Sequence, residues 1–88
     1  MRKLEEVRQE ITAYDSQIAQ LLSQRFARVI EVGQIKAQKR IAVLDRSRET
    51  KVLANVVAHS EPEFAPYIKV IYQEIMAQAR QYQTDHRK

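Results

Sequence analysis

Two arginines of this chain, Arg25 and Arg28, occupy positions where the sequence pattern otherwise places apolar side chains. The apolar residues before them alternate steps of three and four, which is typical of a helix that buries one stripe. These residues are Leu4, Val7, Ile11, Tyr14, Ile18 and Leu21, and the same phase continues to Arg25, Arg28, Val32 and Ile35. A guanidinium on a buried stripe has lost its water and needs an anionic partner. Few acidic residues lie nearby in the sequence, so the pattern predicts a bound anion.

Lys36 is a second candidate ligand for the same anion. It follows Arg25 by eleven positions, which on a helix returns to within about 20° of the same face. The two backbone positions are ~16 Å apart, but both side chains are long enough to lean toward one small anion. Gly33 beside them costs ~1 kcal/mol against alanine in a helix, and a closely approaching helix or ligand would explain it. The alternative for Lys36 is an ordinary solvated helix lysine.

Arg8 lies ~42 Å from Lys36 along the same predicted helix, so one small ligand cannot touch both within one chain. If the helix pairs antiparallel with its twin, about a two-fold axis near residue 19, Arg8 of one chain reaches the Arg25 to Lys36 region of the other. Such an isologous dimer has two identical sites. The alternative is that Arg8 is a surface partner of Glu5 or Thr12.

Further polar candidates lie at the start of the second predicted helix. Asp45 is well placed as an N-cap, and Glu49 in the first turn suits the helix dipole. Arg48 is unusual there, because a cation near a helix N-terminus is unfavourable and calls for acidic compensation.

In the third predicted helix, Gln83 shares a stripe with Tyr72, Met76 and Ala79, which places an amide at the end of an apolar face. A frayed surface glutamine is the alternative. His59 and His86 lack metal-ligand spacing, so no metal site is predicted.

The elements that must position these residues are three helices in an all-α chain. They are predicted from about Lys3 to about Lys39, from a cap at Asp45 or Ser47 to about His59, and from near Pro66 to about Thr84. The first helix is thus ~54 Å long, whereas a compact chain of this length has a radius of gyration of only ~12 Å. The long helix therefore needs cover from outside its own chain.

Length and composition favour one small domain over residues 1–88, for which self-association would add burial. The net charge of +4 favours anionic partners, and the absence of cysteine excludes disulfides and thiolate chemistry. The N-terminus contains no apolar signal region, and no run approaches the ~18 apolar residues of a membrane span. These features predict a soluble, unexported, cytoplasmic protein without a membrane partner.

Four segments in register resemble the all-helical class of chorismate mutases. They are Val7-Arg8-Gln9-Glu10-Ile11 with Asp15, Leu21-Leu22-Ser23-Gln24-Arg25, Val32-Gly33-Gln34-Ile35-Lys36 and Asp45-Arg46-Ser47-Arg48-Glu49. The resemblance covers nearly the whole chain. It implies three helices per chain, interlocked as a homodimer, and the conversion of chorismate to prephenate in sites built from both chains.

The resemblance also implies roles for the basic and amide residues. Arg8 from the partner chain would bind one carboxylate of the dianionic substrate. Arg25 would bind the other carboxylate, and Arg48 would add positive charge nearby. Lys36 would serve a carboxylate and the ether oxygen, to which Gln83 would donate from the other side.

Three further positions complete the implied site. Glu49, together with the backbone at Asp45, would hold the ring hydroxyl of the substrate. Ala79 departs from the family, which usually has a serine there that hydrogen-bonds a carboxylate. The reaction is a unimolecular Claisen rearrangement and requires no cofactor, metal or nucleophile.

Two other functions are alternatives. An isochorismate pyruvate lyase shares the scaffold and its cationic residues, but the residues at Asp45 and Glu49 favour the mutase. The other alternative is a non-catalytic basic helical dimer that binds nucleic acid or only dimerises. Its basic residues should form a continuous exposed stripe, whereas several here fall on the predicted buried stripe, so no nucleic-acid partner is predicted.

Overall fold

The computed structural model describes residues 1–87, which form three α-helices and no strand. These are α1 (Leu4–Gln38), α2 (Arg46–Ala58) and α3 (Ala65–Asp85). The all-α prediction is confirmed, and each helix end lies within one residue of its predicted position. None of the described helices is both long enough and apolar enough to span a membrane.

Helix α1 runs without interruption for 35 residues because no proline breaks it and its termini suit the helix dipole. Glu5 and Glu6 lie in its first turn and Lys36 in its last. The described chain measures 56 × 23 × 15 Å, with a radius of gyration of 16.2 Å. The chain is therefore far more elongated than a compact domain of similar length. This agrees with the prediction that the long helix protrudes.

A Schellman motif closes the C-terminus of α1. The amide of Ile41 donates to the Lys36 carbonyl at 2.8 Å, and the amide of Arg40 donates to the Ala37 carbonyl at 3.2 Å. Arg40 has a φ of 57°, the left-handed conformation that this motif needs and that glycine more commonly supplies. The turn sends the chain back toward α1, so that the segment before α2 lies beside Lys36.

Helix α3 packs against both α1 and α2, and it holds the only buried residues of the described chain, Met76 and Ala79. The apolar spacing in this helix predicts a buried stripe of Ile68, Ile71, Tyr72, Ile75, Met76 and Ala79. The prediction is wrong for Ile71, which is 60% exposed. Cover for this part of α3 does not come from α1 or α2.

The first half of α1 carries the predicted apolar stripe, but its own chain does not bury it. The larger side chains of this stripe are all more than half exposed. They are Leu4, Ile11, Tyr14, Ile18 and Leu21. The predicted burial of the stripe is therefore wrong for the single chain. It is also wrong for Val32 and Ile35 in the second half of α1, which are 44% and 51% exposed.

Candidate active site

A cavity of about 240 Å³ lies where the second half of α1, the start of α2 and the second half of α3 meet. Its walls are largely apolar, and its charged lining is strongly unbalanced, with five cations against two carboxylates. The cations are Arg25, Arg28, Lys36, Arg48 and Arg80, and the carboxylates are Asp45 and Glu49. A cavity with this excess of positive charge in a partly apolar setting suits a small molecule with more than one negative charge.

Arg25 and Lys36 both line this cavity, as the helical spacing predicts. The Arg25 guanidinium carbon lies 5.3 Å from the centre of the Tyr72 ring, so a cation–π contact with α3 holds the side chain in place. The Lys36 ammonium donates to the Val43 carbonyl at 3.0 Å. Within residues 1–87, no carboxylate lies at ion-pair distance from Arg25.

Arg28 lies at the edge of the cavity, and its predicted burial is wrong for the single chain. Its Nε lies 3.1 Å from a carboxylate oxygen of Glu31, and its side chain is 72% exposed. The difference arises because Arg28 and Arg25 point in directions about 60° apart around the helix axis. Helix α3 covers the face that carries Arg25 and leaves the face of Arg28 open.

At the start of α2, Asp45 is the N-cap, which decides between the two predicted caps. Its Oδ1 accepts a hydrogen bond from the Arg48 amide at 3.0 Å. This contact caps the helix backbone and does not involve the Arg48 guanidinium, which lines the cavity. Within residues 1–87 no carboxylate lies at ion-pair distance from that guanidinium, so the expected acidic compensation of its charge is not found. Glu49 lies one residue further on and pairs with Arg80 of α3.

Gln83 lines the cavity and joins α3 to α1. Its Nε2 donates to the Val29 carbonyl at 2.9 Å, so it is a packed residue rather than a frayed one. A Cβ placed on Gly33 would lie 3.1 Å from the Gln83 Cγ. Gly33 therefore marks a close approach, as predicted, and the approaching group is the Gln83 side chain. Ala79 is 8% exposed and lines the cavity one helical turn before Gln83.

Arg8 is the one predicted site residue that does not line this cavity. It is exposed on α1, seventeen residues before Arg25, which corresponds to ~26 Å along the helix. The other seven predicted site residues all lie on the cavity wall.

Arg80 lines the cavity and was not predicted as a site residue. A signal for it exists in the sequence, because Arg80 follows Met76 by four positions and precedes Gln83 by three. Both spacings place side chains on one face of a helix. An arginine next to the apolar stripe of α3 was therefore detectable by the same reasoning that singles out Arg25.

Each histidine is the C-cap of its helix, and its ring contacts a backbone carbonyl four residues earlier. His59 Nδ1 lies 2.8 Å from the Asn55 carbonyl, and His86 Nδ1 lies 2.9 Å from the Tyr82 carbonyl. Residues 1–87 hold no group of three or more His, Cys, Asp or Glu side chains that could bind a metal ion.

Together, the fold and the cavity define an all-helical protein with a cationic pocket for a small anion. The family model of chorismate mutase type II matches residues 7–84. The chain belongs to this family of all-helical isomerases. A search of curated proteins and a search of solved structures each find no match.

Family membership supports the mutase reaction, the rearrangement of chorismate to prephenate. Neither alternative function gains support from the match or from the described residues. The basic residues of the second half of α1 line a cavity instead of forming one continuous exposed stripe of the kind that contacts phosphates.

Proposed function

We propose that this chain rearranges chorismate to prephenate in the cavity between its three helices, as a homodimer with two shared sites. The observation that carries the proposal is the excess of cations around a cavity of about 240 Å³ in a chain of this family. Chorismate is a dianion, and cationic donors held in a pocket with apolar walls favour such a ligand.

Lys36 and Gln83 are the proposed donors to the ether oxygen of the substrate. Each uses one hydrogen of its polar head for a backbone carbonyl, that of Val43 or Val29. An ammonium group has three hydrogens and an amide nitrogen has two. Two donors on Lys36 and one on Gln83 thus remain for a ligand, while the contacts already made hold both heads in place.

The reaction is unimolecular, so its acceleration comes from geometry and electrostatics. The site must select the compact diaxial conformer and stabilise the negative charge that grows on the breaking ether bond. Lys36 and Gln83 supply donors at that oxygen, and Arg25 binds one carboxylate. Anchored donors need little reorganisation as the charge develops, which is the condition for electrostatic catalysis.

The remaining cavity residues have proposed roles in binding. Arg48 adds positive charge at the start of α2, and Glu49 with the backbone at Asp45 receives the ring hydroxyl. Ala79 supplies wall surface where a serine would donate a further hydrogen bond. Its methyl group makes substrate binding weaker than a serine would, since one carboxylate contact is lost.

Dimerisation is proposed because the first half of α1 leaves its apolar stripe uncovered. Antiparallel pairing of two α1 helices buries that stripe and moves Arg8 of one chain to the cavity of the other. Arg8 then completes the binding of the second carboxylate. The two sites are equivalent by symmetry.

We place the reaction in the cytoplasm and in aromatic amino-acid biosynthesis, the route that consumes prephenate. The small-molecule dianion is the proposed ligand, and neither a membrane nor a nucleic acid is a proposed partner.

The direct test is to incubate the purified chain with chorismate and, in parallel, with isochorismate. Loss of the ultraviolet absorbance of chorismate with formation of prephenate supports the proposal. Pyruvate release from isochorismate, without mutase turnover, would assign the lyase reaction instead. A folded chain that is inert toward both substrates at high protein concentration would remove the enzyme function.

A further inference from the structure

An ion pair between Arg80 of α3 and Glu49 of α2 joins these two helices at the cavity wall. One terminal nitrogen of Arg80 lies 2.6 Å and 2.5 Å from the two carboxylate oxygens of Glu49. The side chains are 35% and 25% exposed, which makes this pair the least exposed of the ion pairs within residues 1–87. A partly buried, charge-assisted contact of this kind restrains both side chains more than a surface pair does.

Glu49 needs such a restraint because of its neighbours. Its carboxylate lines the same cavity as Arg25, Lys36 and Arg48. Without a partner of its own, it is able to turn toward one of these cations and occupy a group that the substrate needs. Its negative charge would also repel a doubly negative ligand. The contact with Arg80 holds the Glu49 carboxylate away from these cations and offsets its negative charge.

We propose that Arg80 is a positioning residue for the mutase site: it holds the Glu49 carboxylate at the cavity wall and neutralises its charge toward the substrate. This inference rests on the proposed function, in which Glu49 receives the ring hydroxyl. A carboxylate has about four lone-pair positions, so two contacts with Arg80 leave acceptor capacity for that hydroxyl. Arg80 therefore acts through Glu49 and not on the substrate.

The kinetic signature of this role is a change in KM with little change in kcat. The hydroxyl contact and the charge of Glu49 act alike on the bound substrate and on the transition state, so their loss is a loss of uniform binding. We expect Arg80→Met to raise KM by about tenfold while kcat stays within about threefold, since one charge-assisted contact is lost. Arg80→Lys, which keeps the charge, should raise KM by only about threefold.

Arg46→Met is the matched control. It removes the same charge from the exposed first turn of α2, and Arg46 is not part of the cavity wall. We expect its KM to stay within about twofold of the wild-type value, since surface charges away from a site have small effects. Thermal unfolding of each variant shows whether it is folded.

The decisive experiment is a double-mutant cycle with Glu49→Gln, followed by steady-state kinetics on chorismate. If Arg80 acts through Glu49, then Arg80→Met should change KM by less than about twofold in the Glu49→Gln background. An equal, roughly tenfold rise in both backgrounds would show that Arg80 contacts the substrate itself, and would overturn the inference. Should Arg80→Met fail to fold, Arg80→Lys in the two backgrounds gives the same comparison.

Failure of the proposed function and failure of the role of Arg80 give different kinetic results. A wild-type chain without mutase turnover removes the proposed function and this inference with it. An active wild-type chain whose two substitutions act independently on KM removes only the role of Arg80.

Discussion

The two halves of α1 belong to one uninterrupted helix with one apolar phase, yet they have different surroundings. The second half packs against α3 and contributes Arg25 and Lys36 to the cavity. The first half presents side chains such as Leu4 and Leu21, both more than 60% exposed. A periodic stripe thus predicts which face of a helix is to be buried, whereas residues outside the helix determine which partner buries it.

The residues of the proposed site are divided in the same way between the cavity and the exposed first half of α1. Seven of these residues lie around one cavity within a single chain, and Arg8 lies on the exposed half of α1. If the exposed half pairs with a second copy, the two halves of the helix serve two different sites.

The largest effect is expected from Lys36→Met, which removes the ammonium group that the second half of α1 contributes to the cavity. Loss of one preorganised donor at a developing negative charge lowers the rate by about 10² to 10³. Measurement of kcat/KM on chorismate checks this value. The exposed residue Lys39, which lies outside the cavity wall, gives the control Lys39→Met. A loss below about threefold in the Lys36 variant would separate this residue from the reaction.

A change in pH dependence is expected for Gln83→Glu. The amide of Gln83 donates at any ordinary pH, whereas a carboxyl group donates only when it is protonated. Activity of the variant should therefore rise as the pH falls and be low at neutral pH, while the wild-type profile lacks this dependence on residue 83. The profile of kcat between acid and neutral pH is the measurement. If the two profiles have the same shape, Gln83 does not donate to the ether oxygen.

The smallest effect is expected from Gly33→Ala, which acts on the cavity through Gln83. The new Cβ would lie 3.1 Å from the Gln83 Cγ, so the side chain must shift by a few tenths of an ångström. Misplacement of a donor on this scale should lower kcat by about three- to tenfold.

Stability should change by less than the ~1 kcal/mol by which alanine is favoured over glycine within a helix, because the close contact with Gln83 opposes that gain. Comparison of kcat and thermal unfolding for Gly33→Ala and for its neighbour Gln34→Ala distinguishes these effects. A Gly33→Ala chain with full activity would show that Gln83 tolerates the shift.

The helices were predictable because their signals are local. A capping aspartate at Asp45, a proline at Pro66 and the three–four spacing of apolar residues each act within one or two helical turns. The shared cavity of Arg25 and Lys36 followed from the same spacing. Gly33 was predicted to mark a close approach because a glycine within a helix lowers stability, and its presence there needs a structural reason.

The features that could not be predicted depend on contacts between distant parts of the chain. The pairing of Glu49 with Arg80 spans 31 positions in the sequence and depends on how α2 and α3 meet. The exposure of Arg28 depends on the width of the face that α3 covers. The roles of the site residues and the dimer stay predictions, because they depend on contacts with a second molecule and not on the packing within one chain.

The central claim is that each site combines Arg8 of one chain with the cavity of another, and mixing two inactive variants tests it most directly. Arg8→Ala and Gln83→Ala chains are combined under conditions where subunit exchange is demonstrated, and mutase activity is measured. Random exchange makes half of the dimers hybrid, and each hybrid has one intact site, so about a quarter of the wild-type activity should return. Activity that stays at the level of the separate variants after exchange would contradict the shared site.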